Sequence, residues 1–314
     1  MTLPAWNPLE PRFGIPYPMF PPLRLWRRLR ELIDSADVFH THGFLSQTST
    51  AGLFMTRSRR TVGVLTEHVG HVPYASPLIN TAESLGIATV GRVTARMADA
   101  IVTYNTTVEA TMRRIAPGVR IAHIENGVDV VRYHPPAEGE RQRLRAELGW
   151  DERPHVLFVG RLVDKKGAPI AIEAARLAGG AFRLVLVGPG PKPAPHPDVL
   201  WLGPMAQEKV AEIYRAADVF VLPSTGEGFP LSAQEALASG LPVVLSDEPA
   251  YHPILAGAGD AVMLAKRDPE SFVRALQRAI ALPPSVHAAA IEFARGRFSW
   301  DAAADQLIDL YKSL

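Results

Sequence analysis

Asp218–Val244 reads DVFVLPSTGEGFPLSAQEALASGLPVV, and its punctuation decides the fold. Asp218–Leu222 is a short β-branched and aromatic run of the kind that forms a buried parallel strand. Pro223–Gly228 is loop, where Gly226 and Gly228 allow backbone conformations closed to other residues. A helix is predicted from about Pro230, because proline is tolerated where the first-turn N–H has no intrahelical partner. It stops at Gly240, with Pro242 behind it, and a second strand follows over Pro242–Ser246. The amides of Phe229, Leu231 and Ser232 then point out of a helix N-terminus toward the strand end, a ready anion site. Glu227 and Glu235 flank it, with seven residues between them. Amides and helix dipole suit phosphate oxygens, and carboxylates suit hydroxyls, so the expected ligand is both phosphate and polyol. The plainer alternative is an ordinary βαβ crossover with a solvated glutamate.

The length of 314 residues suggests two domains, and 47% hydrophobic residues suffice for packed cores. With 33 basic against 32 acidic residues there is no global field for nucleic acid. The absence of cysteine excludes disulfides, thiolate catalysis and cysteine-ligated zinc. No apolar run approaches a membrane span and the N-terminus lacks a signal pattern, so a cytoplasmic protein is expected.

In chain order, residues 1–22 are proline-rich and should be extended. Leu23–Ile33 (LRLWRRLRELI) is a basic amphipathic helix with Leu25, Trp26, Leu29, Leu32 and Ile33 on one face. It would cover a sheet with its arginines in water, or else make peripheral contact with the inner face of an anionic membrane. Strands are predicted at Asp37–His42, Thr61–Thr66, Ala100–Tyr104 and Val119–Ile124, and Asn105–Thr107 is a candidate helix cap. Strand alternation puts His40 and His42 on one side, a metal site only if a third ligand joins them. His42, His68 and the Asn126–Asp129 turn should share the carboxyl edge of a parallel sheet, where ligands sit. His71 follows soon after His68.

A linker lies at Tyr133–Glu140, rich in proline and acid, followed by a helix over Arg141–Leu148. A full doubly wound series comes next. Its strands are His155–Gly160, Arg183–Val187, Val199–Leu202, Asp218–Leu222, Pro242–Ser246 and Ala261–Leu264. Its helices lie near Ala168–Leu177, Gln207–Ala216, Ser232–Ser239 and Pro269–Ala281. After the first of these strands come Arg161, at the strand end, and Lys166, in the loop before a helix. They are either solvated cations or a phosphate clamp made of a bidentate guanidinium and a mobile ammonium. A dinucleotide fingerprint does not fit, since no G-x-G-x-x-G opens a helix and no acidic residue stands at the ribose distance.

These residues resemble the retaining GT-B glycosyltransferases of glycosyltransferase family 4. The resemblance rests on Glu227-Gly228-Phe229-Pro230-Leu231 with Glu235, on Val159-Gly160-Arg161 with Lys166-Gly167, and on Leu186–Pro191. It extends to Trp201–Met205, to the DVFHTH strand end and NGVD turn, and to Phe298-Ser299-Trp300. It covers about Asp37–Leu314 and is densest over Val159–Val244. Pro230 replaces the usual second glycine of the loop, and Pro189 an acidic residue.

The resemblance implies an α/β fold of two Rossmann-like parallel-sheet domains facing a cleft. They would span residues 1–135 and 136–298, with residues 299–314 a terminal helix returning to the first. Such a domain normally opens with a strand and a glycine-rich loop. Here only prolines and one helix precede Asp37, so an incomplete N-terminal domain is expected. The implied reaction moves a sugar, with retention and without a metal or cofactor, from a UDP- or GDP-linked donor to a sugar, lipid or small-molecule hydroxyl. Arg161 and Lys166 would hold the diphosphate, and Glu235 the ribose. Glu227 and the backbone from Gly228 through Phe229 and Pro230 to Leu231 would hold the sugar and phosphate. Gly203 and Met205 would meet the base, and His68 the transferred sugar or the acceptor. A nucleotide-sugar epimerase, or a non-catalytic nucleotide-sugar binder, stays open as an alternative.

Overall fold

The computed structural model describes residues 5–7, 18–68, 77–104, 106–226 and 228–314. Glu227, His71, Asn105 and most of the N-terminal prolines lie outside the described residues. The chain forms two compact units, Met1–Ile124 with Asp305–Leu314, and Glu125–Ala304.

The first unit carries four parallel strands in the order β1 (Val38–His42), β2 (Val62–Glu67), β3 (Ala100–Thr103) and β4 (Arg120–His123). Its helices are α1 (Pro22–Ile33), α2 (Gln47–Thr56), α3 (Pro77–Gly86), α4 (Arg92–Met97) and α5 (Thr106–Ile115). A π-helical segment, Ile87–Gly91, joins α3 to α4. Alternation along the strands feeds two cores. Leu65 and Ile101 pack with Phe44, Leu53 and Met112 on one face, while Val64, Ala100 and Val102 pack with Leu310 on the other.

Helix α1 departs from the expected face. Leu25, Leu29 and Ile33 are buried against Met55, with Phe39 and Ala51 beside them, whereas Trp26 and Leu32 are 46% and 47% exposed. The row at i, i+4, i+8 alone meets α2, so the expected five-residue face is cut to its three central members.

The second unit holds six parallel strands: β5 (His155–Val159), β6 (Arg183–Val187), β7 (Val199–Gly203), β8 (Val219–Leu222), β9 (Val243–Ser246) and β10 (Val262–Ala265). Their spatial order is β10-β9-β8-β5-β6-β7. Helices α6 (Glu140–Leu148), α7 (Ala168–Leu177), α8 (Gln207–Ala216), α9 (Leu231–Ala238), α10 (Pro269–Ile280) and α11 (Pro284–Phe298) accompany them. The last helix, α12 (Trp300–Lys312), begins in the second unit, and its residues from Asp305 belong to the first. Ser299 caps it by accepting the Ala302 N–H at 3.1 Å. Of the segment read as linker, Tyr133 is buried in the second unit's core.

From β5 the chain passes to β6 on one side, and β8 returns on the other. The loops after β5 and β8 therefore diverge from neighbouring strand ends, which is where open parallel sheets form a ligand crevice. Glycines let the loops close on each other. Gly167 has φ +77°, and a Cβ there would lie 2.1 Å from the Pro223 carbonyl oxygen. Gly188 has φ +137°, and a Cβ would meet the Gly160 oxygen at the same distance.

Gly179, with φ +56° and nothing within 4 Å of an added Cβ, serves as the control. Gly179→Ala should cost about 1–2 kcal/mol, the backbone penalty alone. Gly167→Ala meets backbone as well and should cost roughly 3 kcal/mol or more. Urea unfolding of the two variants checks this, and equal losses would contradict the close approach.

Candidate active site

Three backbone loops meet at the carboxyl edge of the second sheet. Thr225, after β8, donates its N–H to the carbonyl of Lys165, after β5, at 3.0 Å. Arg267, beyond β10, donates Nε–H to the Pro223 carbonyl at 2.9 Å and also donates to the Asp164 carbonyl. The loop after β6 is joined by Leu162 N–H to the Pro189 carbonyl at 2.9 Å. Arg267 was not legible as a site residue, since it sits over forty residues from either loop in sequence.

Arg161 is exposed and Lys166 half-buried, on the loop whose carbonyl receives Thr225. Lys166 ends a short 3₁₀ turn, Asp164–Lys166, just before Gly167 and α7. The structure thus brings the loop of Arg161 and Lys166 alongside the glycine loop.

That loop is anchored by its aromatic residue. Phe229 is buried, stacked on Phe298 at 5.1 Å and edge-on to Tyr251 at 5.8 Å. Gly228 is half-buried and Pro230 buried, and Pro230 occupies the cap position of α9 with φ −68°. Its carbonyl accepts the Ala233 and Gln234 amides, at 3.0 and 3.2 Å. Among the described residues no acceptor faces the Leu231 or Ser232 amide, so the helix N-terminus keeps donors for an anion. Replacing glycine by Pro230 leaves both in place.

Glu235 lies one turn inside α9 and is half-buried. Its carboxylate accepts the Tyr214 hydroxyl at 2.9 Å and is also hydrogen-bonded by Tyr133. Both tyrosines are buried, their rings edge-on at 5.5 Å. Burial raises the Glu235 pKa above the ordinary carboxylate value; the two tyrosine hydroxyls and the charge of Arg132 oppose that shift. Sequence reasoning found Glu235 and missed its tyrosines, one from the supposed linker and one from α8. A carboxylate accepts about four hydrogen bonds, so capacity remains for hydroxyls of a ligand.

Gly203 ends β7 with φ +74°, and its carbonyl accepts the Gly188 N–H at 2.9 Å. Its carbonyl is thereby partly committed, while Met205 is 36% exposed two residues on.

His68 lies in the first unit, just after β2. His42 Nδ1 and His68 Nε2 are 2.9 Å apart, so one ring donates and the other accepts. His40 stacks on His42 at 5.0 Å, and His68 packs on Tyr104 at 4.8 Å. Both nitrogens of His40 are engaged, by the Tyr311 hydroxyl and Thr66 Oγ1, each at 2.6 Å. Burial first, then the neighbouring rings, lowers the His40 pKa to about 4 and lowers that of His68. The rings form a stacked ladder. Among the described residues no group of three or more histidine or acidic side chains is arranged to hold a metal.

Comparison with known proteins agrees with this architecture. The profile described as Glycosyltransferase Family 4 matches residues 3–132, and that described as Glycosyl transferases group 1 matches residues 153–281. D-inositol 3-phosphate glycosyltransferase of Rhodococcus opacus is 31% identical over 62% of this chain and 48% of its own length. The protein of the same name from Nocardia farcinica is 29% identical over 92% of this chain and 69% of its own. The chain spans about half the length of most curated relatives it matches. Among solved structures, Anabaena HepE in complex with UDP superposes with a TM-score of 0.72 at 18% identity, over 93% of this chain and 82% of that one. Sucrose-phosphate synthase from Thermosynechococcus elongatus gives 0.68 at 24% identity, over 94% and 80%. With each half matched by its own profile and both sheets parallel, the chain belongs to glycosyltransferase family 4 and has the GT-B fold.

Proposed function

We propose that the protein is a retaining glycosyltransferase that binds a nucleoside-diphosphate sugar at the carboxyl edge of the second unit's sheet. The observation that carries this reading is the junction of loops at β5 and β8. There the loop of Arg161 and Lys166 meets the loop leading into α9, whose first amides keep no acceptor among the described residues, and Glu235 is half-buried one turn on. Arg161 and Lys166 take the diphosphate, and the amides of Leu231 and Ser232 share its charge. Glu235 accepts ribose hydroxyls. Glu227 and the backbone of Gly228–Leu231 receive the sugar, and Met205 with the Gly203 turn meets the base.

The chemical step breaks the bond between the anomeric carbon and the phosphate oxygen and forms one to the acceptor oxygen on the same face. The acceptor's proton passes to the departing phosphate. The residues' main work is to stabilise negative charge on that leaving group with fixed cations and N–H donors. His68, hydrogen-bonded to His42, is assigned to the sugar or the acceptor as a hydrogen-bonding group. The UDP bound in HepE makes UDP the first nucleotide to test, beside GDP. The relatives' name makes D-inositol 3-phosphate one acceptor to include among sugars and lipids.

Arg161→Ala and Lys166→Ala should each weaken nucleoside-diphosphate binding roughly ten-fold or more, from about 1.5–3 kcal/mol per charge-assisted contact. Calorimetry with UDP and GDP reads this directly, and unchanged affinity in both variants would sink the assignment. Tight nucleotide binding with no turnover across acceptors would instead favour the non-catalytic binder.

The two glutamates should separate kinetically. Ribose changes little during reaction, so Glu235→Gln should chiefly raise donor KM, whereas Glu227→Gln should chiefly lower kcat. Steady-state kinetics of both variants decides it, and the opposite pattern would reverse the roles.

Glu235 also sets a pH dependence of stability. Its folded pKa is raised by burial, so the folded state binds its proton more tightly than the unfolded chain does. That contribution is complete below the unfolded carboxyl value and is lost as pH rises through the folded one. Glu235→Gln should therefore gain Tm relative to wild type on going from about pH 4 to pH 7. A constant difference in thermal melts across that range would contradict the burial argument.

A further inference from the structure

The donor-site reading leaves one surface of the first unit unused. Trp26 and Phe54, on α1 and α2, meet at 6.0 Å between ring centres with 46% and 59% of their surfaces exposed. Val90 and Val93 are 47% and 56% exposed, and with Phe20 and Leu25 these residues line an open apolar groove of about 430 Å³. At the start of α1, Leu23 is 83% exposed. Monomeric proteins rarely leave contiguous apolar surface of this kind uncovered.

The charges beside the groove have one sign. Helix α1 carries Arg24, Arg27, Arg28 and Arg30 against a single glutamate. Glu31 is paired with Arg28 at 2.8 Å, and Asp34, just past the helix, is held by Arg59 and lies 3.6 Å from Arg30. Arg24 and Arg27 are exposed, and neither has an ion pair among the described residues. Leu23 and Trp26 are thus exposed on the same helix as these guanidinium groups, with Trp26 beside Phe54 of α2.

We propose that this face docks on the surface of a bilayer containing anionic lipid. Leu23, Trp26 and Phe54 enter the headgroup boundary, and Arg24 and Arg27 pair with lipid phosphates. Tryptophan beside arginine suits that boundary, where an amphipathic ring and a cation are both favoured. A second copy of the chain suits it less, because a two-fold contact would oppose α1 to itself and set arginine against arginine. The inference is independent of the donor site, which lies on the other unit.

The test is co-sedimentation of the full chain with vesicles of one part phosphatidylglycerol to three parts phosphatidylcholine, and with phosphatidylcholine alone. The protein should partition to the anionic vesicles and be released by salt. Arg24→Ala with Arg27→Ala should weaken partitioning by about five-fold per charge. Leu23→Ser with Trp26→Ser should weaken it at unchanged salt sensitivity. Circular dichroism and UDP affinity should be unchanged in both. No partitioning to anionic vesicles, or partitioning unaffected by both double variants, would overturn the proposal. So would concentration-dependent dimerisation that Trp26→Ser abolishes without any vesicle binding.

Discussion

The candidate site depends on backbone meeting backbone at the carboxyl edge of the second sheet. Gly167 against the Pro223 carbonyl and Gly188 against the Gly160 carbonyl leave no room for a Cβ. A Cβ on Gly190 would lie 2.6 Å from Leu162 Cβ. Because the loops touch through main chain, their relative position is set by hydrogen bonds that no side-chain rotation can relax. The Thr225–Lys165 and Leu162–Pro189 bonds lock this arrangement, and Arg267 ties it from outside. Arg161, Lys166 and the α9 amides inherit their geometry from it. Preorganised donors of this kind need no reorganisation when charge develops on a leaving group.

The second constraint is electrostatic. Glu235 is kept in a place that disfavours its charge, and two tyrosine hydroxyls repay only part of that cost. A carboxylate held this way keeps capacity for further hydrogen-bond donors. In the first unit burial acts on histidines: His40, His42 and His68 stack, His42 and His68 share a hydrogen bond, and burial lowers the pKa of His40 and of His68. One unit therefore presents a carboxyl whose charge is disfavoured by burial, and the other a polar stack of rings.

The strands were legible because each is a short β-branched run bounded by turn residues, and all ten lie within a residue or two of their expected positions. The motif residues were legible because their spacing within one strand–loop–helix unit is local. What escaped was non-local or non-periodic. Helix α11 is rich in alanine and carries no clear apolar stripe, so periodicity could not raise it above background. The stretch from α3 through the π-helical segment to α4 is broken by Gly86 and Gly91, which read as stops. Tyr133 and Tyr214 reach Glu235 from distant positions, and only the fold puts them there. Trp26 and Leu32 looked like core because a helical wheel cannot say how wide the neighbouring surface is.

Helix α12 has a consequence for how the chain is made. Leu310 fills the core on one face of the first sheet, and the Tyr311 hydroxyl meets His40 in the middle of β1. The first unit is thus assembled from two pieces separated by the whole of the second. During synthesis its sheet emerges early with one face unsealed, Val64, Ala100 and Val102 open to water, and it stays so until residues 305–314 have left the ribosome. The second unit owes its own core to a continuous segment and can fold in the meantime. Residues 305–314 thus close a face of the unit that precedes them in the chain.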